Sequence, residues 1–84
     1  MIQVHYFASI RERLGSAGEQ VQTDAGLGTV AALVARLVAL HGEEWDEVLR
    51  DQRMLMAVNK TVARPDTQLQ DGDEVAFFPP VTGG

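Results

Sequence analysis

Apolar and polar residues alternate from the second position onward. Ile2, Val4 and Tyr6 are separated by Gln3 and His5, and Phe7 follows. A period of two marks a strand with one buried face. Ser9-Ile10-Arg11-Glu12 comes next. A serine followed three residues later by a glutamate has the form of a capping box, which predicts a short helix capped by Ser9. Gly15 closes it. Ser16-Ala17-Gly18 reads as a turn. Glu19 to Thr23 reads as a second strand, and its one strong apolar residue, Val21, assigns it to a sheet edge.

Ala25-Gly26-Leu27-Gly28 breaks the pattern before the longest helix signal in the chain. Thr29 caps it, and the helix runs from Val30 to about His41. Val30, Leu33, Val34, Leu37 and Leu40 form one face, and Gly42 sits where a helix C-terminus favours glycine. Glu43-Glu44-Trp45 opens a second, shorter helix with its acids in the first turn. Trp45, Val48 and Leu49 follow the i, i+3, i+4 spacing. Met54 to Val58 predicts a third strand and Thr61-Val62-Ala63 a weaker fourth, joined by a tight turn at Asn59-Lys60. Asp71-Gly72-Asp73 is a strong turn signal. Glu74 to Phe78 is the last strand, with Val75 and Phe77 on one face and Ala76 and Phe78 on the other. Pro79-Pro80 has no N–H to donate and stops the ladder.

One long helix cannot cover two sheets, so the economical arrangement is an α+β domain with a single mixed sheet. It has about five strands, one long helix across one face, and one or two short helices. If the first two strands pair and the long helix crosses back, the last strand runs parallel beside the first. That is the β-grasp, or ubiquitin-like, layout. Residues 1–78 form the domain and residues 79–84 an extended C-terminal tail.

Composition narrows the partners. The chain has 84 residues, 45% of them apolar and 23% charged, with a formal net charge of −5. An acidic surface repels phosphate backbones, which argues against nucleic acid. No run of about 18 apolar residues predicts a membrane span. The first residues lack the basic-then-apolar form of an export signal, so the expected location is cytoplasmic. Cysteine is absent, which removes disulfides, thiolate ligands and a cysteine nucleophile. Any sulfur chemistry here uses imported sulfur.

The body offers little reactive chemistry of its own. His5 and His41 are the two histidines, far apart and without ligand spacing. Asp71 and Asp73 flank a glycine, but the segment is too short for a twelve-residue calcium loop. Gly26-Leu27-Gly28 lacks the remaining glycines and the lysine of a phosphate loop. No metal site and no bound cofactor is expected.

The chain ends on FFPPVTGG. If Val75 and Phe77 face the helix, Phe7 and Phe78 face away from it, and Val62 joins them in an exposed apolar cluster suited to docking. Pro79-Pro80 favours an extended conformation of about 3.1 Å per residue. The six residues Pro79, Pro80, Val81, Thr82, Gly83 and Gly84 then reach on the order of 20 Å. Gly83 and Gly84 carry no Cβ, so they pass a narrow channel and leave the carboxylate of Gly84 unhindered. A carboxylate is a poor electrophile until it is adenylated.

YFASIRERLG, TVAALVARL, EEWDEVL, MAVNKTV and above all DGDEVAFFPPVTGG resemble, end to end, the small sulfur-carrier subunits of molybdopterin synthase. The resemblance implies that an adenylyltransferase of the ubiquitin-activating type uses ATP to adenylate Gly84, which becomes a thiocarboxylate. The tail then enters the large subunit of molybdopterin synthase and gives its sulfur to cyclic pyranopterin monophosphate. The family assembles as a heterotetramer, with one carrier at each end of a large-subunit dimer, and the catalytic groups belong to the large subunit. By position, Gly84 is the sulfur-bearing residue and Gly83 the clearance residue. Phe7, Val62, Phe78 and the tail residues Pro79, Pro80, Val81 and Thr82 contact the partner, as does Arg11. Two alternatives share the fold and the Gly-Gly end. One is a sulfur carrier for another pathway such as thiamin synthesis. The other is a ubiquitin-like modifier conjugated to proteins through Gly84.

Overall fold

In a computed structural model, which describes residues 1–80, five strands form one mixed sheet and three helices accompany it. In chain order the elements are β1 (Ile2–Tyr6), α1 (Ala8–Leu14), β2 (Gly18–Val21), α2 (Val30–His41), α3 (Glu43–Leu49), β3 (Leu55–Val58), β4 (Thr61–Val62) and β5 (Glu74–Phe78). The strand order is β2-β1-β5-β3-β4. β1 and β5 run parallel at the centre, and the β1–β2, β3–β4 and β3–β5 pairs are antiparallel. This is the β-grasp layout, with β2 at one edge as expected.

The alternation in β1 and β5 determines which face is covered. Ile2, Val4, Tyr6, Val75 and Phe77 are almost wholly buried, and Val30, Leu33, Val34 and Leu37 of α2 meet them. Ile10 and Leu14 of α1 and Val48 and Leu49 of α3 close the ends of this core. Burying one such aliphatic or aromatic side chain stabilises the fold by about 1.5–3 kcal/mol, so the core is the main source of stability. Leu27 and Leu69, from the loops that lead into α2 and β5, are also core residues. Leu40 departs from its expected face: it is 60% exposed, because it lies at the margin of the α2 stripe and beyond the reach of the sheet.

The caps agree with the sequence in part. The Thr29 hydroxyl accepts from the Ala32 N–H at 3.1 Å and starts α2. Gly15 adopts the left-handed conformation at the end of α1, and its N–H bonds the Arg11 carbonyl. The Ser9 capping box does not form. α1 starts two residues earlier than predicted, with Phe7 as its N-cap and no side-chain cap bond. The chain passes straight from β1 into the helix through Ala8, at φ 52°. The Phe7 carbonyl takes the Ile10 and Arg11 N–H groups instead, so the serine has no orphan donor to satisfy. Asn59 and Lys60 both have positive φ, 49° and 70°, which makes the β3–β4 turn type I′.

Candidate functional site

The open face of the sheet is set by strand register. Phe77 is buried, so the next side chain, Phe78, points to the other face. The parallel pairing of Tyr6 with Phe77 brings Phe7 alongside Phe78, and the Phe7 N–H donates to the Phe77 carbonyl at 3.1 Å. On the other flank Leu55 pairs with Phe78. Phe7, Phe78 and Leu55 therefore form a row across the end of the sheet from which the chain departs. One step back, His5 pairs with Ala76, Ala76 with Ala57, and Ala57 with Val62. Val62 is 77% exposed and Phe7 50%. The His5 ring stacks on Phe7 with centroids 6.1 Å apart.

The expected cluster of Phe7, Val62 and Phe78 is thus brought together on one open face. Leu55 and His5 belong to it and were not anticipated. The signal for Leu55 was available: pairing the third and fourth strands through the Asn59-Lys60 turn puts Leu55, Ala57 and Val62 on the same side. Arg11 is exposed on α1 and takes part in no ion pair among the described residues.

The chain leaves the face through a half-buried Pro79 and an exposed Pro80. These prolines form one wall of a groove of about 510 Å³, opposite Ile10, Val48 and Met54, with Arg13 and Arg53 at its rim. Val81, Thr82, Gly83 and Gly84, to which the sequence assigns the partner contact and the reactive carboxylate, lie outside the described residues.

The remaining polar groups are engaged in holding the fold. The Tyr6 hydroxyl donates to Glu19 Oε2 at 2.9 Å and accepts from Trp45 Nε1 at 3.1 Å. Burial pushes this phenol well above its ordinary value of 10.0; the Glu19 carboxylate adds to the shift and the Trp45 N–H opposes it. His41 Nε2 lies 2.8 Å from Glu19 Oε1, and its ring stacks on Trp45 at 4.2 Å. This cluster ties β1, β2 and the α2–α3 junction together. It was missed in the sequence because its four members come from four separate segments.

Asp71 accepts from the Thr23 hydroxyl at 2.8 Å and from the amino group of Met1. These partners hold its carboxyl below the usual carboxylate range. Asp73 accepts from the Gln70 N–H and the Asn59 amide. Asp73 holds the turn around Gly72, as its spacing suggested, and Asp71 ties that turn to Met1 and Thr23. Among the described residues no three His, Asp or Glu side chains gather into a metal-binding group, and no helix is long and apolar enough to cross a membrane.

What the molecule offers a partner is a surface and a strand running out of it, and that defines its class as a ubiquitin-like β-grasp protein. The chain belongs to the ThiS family, whose model matches residues 4–84. It is 46% identical over 84 residues to the molybdopterin synthase sulfur carrier subunit of Escherichia coli (strain K12), covering 100% of both chains. It is 37% identical over 84 residues to the protein of that name in Haemophilus influenzae, again covering 100% of both. Among solved structures it is similar to SAMP1 from Haloferax volcanii, with TM-score 0.78 and 30% identity over 99% of this chain and 98% of the other.

Proposed function

We propose that this protein is the sulfur carrier of a molybdopterin synthase. The observation that carries the reading is its full-length similarity to named sulfur carrier subunits, at 46% and 37% identity. The geometry supports it. The apolar row Phe7–Phe78–Leu55 lies at the point where β5 hands over to Pro79, so a partner seated on the row is in position to receive the residues beyond Pro80.

In this reading the Gly84 carboxylate attacks the α-phosphorus of ATP, held by an activating enzyme of the ubiquitin-activating type, and pyrophosphate leaves. Hydrosulfide released by a sulfur donor then displaces AMP from the acyl-adenylate, leaving a thiocarboxylate. The loaded tail enters the large synthase subunit, where sulfur passes to cyclic pyranopterin monophosphate and the carboxylate is regenerated. Two loaded carriers supply the two sulfurs of one dithiolene, and the assembly is a heterotetramer. Gly83 gives the clearance that entry needs. Val81 and Thr82 line the channel contact, Arg11 meets the partner surface, and the large subunit supplies the catalytic groups. The carrier binds no cofactor of its own and works in the cytoplasm.

The test is intact mass after incubation with ATP, a sulfur donor and the activating enzyme. One oxygen replaced by sulfur is expected on the full chain and not on a chain lacking Gly84. No replacement on the full chain overturns the reading.

A second reading is conjugation to proteins, favoured by the 30% identity to SAMP1 and by the likeness to another solved Haloferax volcanii chain, named small archaeal modifier protein 1. It predicts covalent adducts that disappear when Gly84 is removed. The sole lysine, Lys60, leaves little scope for branched chains of the protein itself.

A further inference from the structure

A second depression, of about 500 Å³, lies between the first turns of α2 and the β3–β4 edge. Ala31, Val34, Leu49, Met54 and Met56 give it a mostly apolar lining, joined by Arg64 and by Arg50 and Asp51, which are paired with Asp46 and Arg53. Two of its residues, Leu55 and Val62, also belong to the open face. The docking surface therefore does not stop at the sheet edge; it turns around β4 and continues into this groove. Two flexible methionines in the lining let it adapt to an incoming side chain.

Charge selects what fits there. Arg13, Arg36, Arg50 and Arg53 are each paired with a carboxylate of this chain. Among the described residues the cations in no ion pair are Arg11, Lys60 and Arg64. Lys60 and Arg64 stand two residues before and two after Val62, the most exposed large apolar side chain of the fold. Lys60 also holds a left-handed backbone conformation that glycine adopts with less strain. Of these three cations Arg64 lines the groove, so a chain of net charge −5 presents one unpaired positive charge there. The open-face row is only a few side chains wide, whereas a stable specific interface takes roughly 20–30 residues a side.

We propose that this groove receives a segment of the large synthase subunit in which aliphatic side chains stand next to aspartate or glutamate. The proposal rests on the sulfur-carrier reading. It adds a contact that strengthens the assembled synthase and that loading of the tail does not use.

The experiment titrates the full, unloaded chain into the purified large subunit by calorimetry at two salt concentrations, and separately follows thiocarboxylate formation by the activating enzyme. Ala31→Glu puts a carboxylate in the first turn of α2, where the helix dipole favours it, so folding is preserved while the groove becomes acidic. Arg64→Glu reverses the exposed rim charge. Each is expected to weaken binding about tenfold or more, with Arg64→Glu also flattening the salt dependence and Arg64→Lys retaining most of the affinity. Thermal midpoints and loading rates stay at wild-type values. Wild-type affinity and salt dependence in both variants overturns the proposal. So does slowed loading with intact binding, which makes the activating enzyme the occupant. If the wild-type chain is neither loaded nor bound, the sulfur-carrier reading itself fails, an outcome distinct from a loss confined to the variants.

Discussion

The indole N–H of Trp45 donates to the hydroxyl of Tyr6 across 3.1 Å, and the two rings meet edge to face. The hydroxyl donates its own proton to Glu19, so a helix, the first strand and the edge strand are joined through one oxygen. Removing that oxygen leaves a partly buried N–H without its partner. Tyr6→Phe is expected to lower stability by about 1–3 kcal/mol in urea unfolding, with little change in the slope.

The same phenol gives a pH dependence. Its folded-state value is raised above the ordinary 10.0, so between the two the folded state holds a proton that the unfolded state has lost. Its contribution is fully present below pH 10 and is lost as pH rises above it. Tyr6 is the only tyrosine, so absorbance of the phenolate reports it alone. The expected result is no ionisation near pH 10 in the folded chain. Ordinary titration there would contradict the burial.

Phe77 and Phe78 are neighbours with opposite duties. Phe77 is fully buried against Tyr6, whereas Phe78 lies half-buried on the open face. Phe77→Ala is expected to cost about 3–5 kcal/mol in unfolding free energy. Phe78→Ala is expected to cost about 1 kcal/mol and to weaken partner binding by more than that. Equal losses in folding and binding for Phe78→Ala would make it a core residue.

At Gly18 an added Cβ would lie 2.3 Å from the Val4 carbonyl oxygen, which is backbone and cannot move aside. At Gly28 it would meet nothing within 4 Å. Gly18→Ala is expected to destabilise by about 2 kcal/mol or more, and Gly28→Ala by less than about 0.5, measured by thermal unfolding.

Lys60 is the second central residue of a type I′ turn, a position that favours glycine. Lys60→Gly is expected to stabilise the isolated chain by up to about 1 kcal/mol, because a side chain in the left-handed region is strained by roughly that amount. Unchanged or lower stability would show that the lysine is not under strain.

Much of the fold and the open face was legible in the sequence, and the physical reasons differ by element. The alternation in Ile2–Tyr6 and Glu74–Phe78 decided both faces of the sheet, because a strand has only two sides. Thr29 and Gly42 bounded α2 because caps are local. Ser9 misled because capping depends on the backbone before the helix, and the abrupt turn at Ala8 moved the start to Phe7. Leu40 fits the helical period but extends past the sheet that gives the period its meaning. Phe7 and Phe78 were legible from parity alone, and Val62 was added to them without a register to place it. Leu55 needed the register across the Asn59-Lys60 turn. The Tyr6–Trp45–Glu19–His41 cluster needed the complete fold, since only His41 and Trp45, four residues apart, are close along the chain.

β5 is the middle strand, laddered to β1 on one side and to β3 on the other. Whatever tugs on the residues beyond Pro80 loads both ladders together, and along the strand axis rather than across it. The bonds must then slip in concert instead of unzipping one at a time. A tail that follows β5 is thereby attached to the central strand, held by a parallel ladder on one side and an antiparallel ladder on the other.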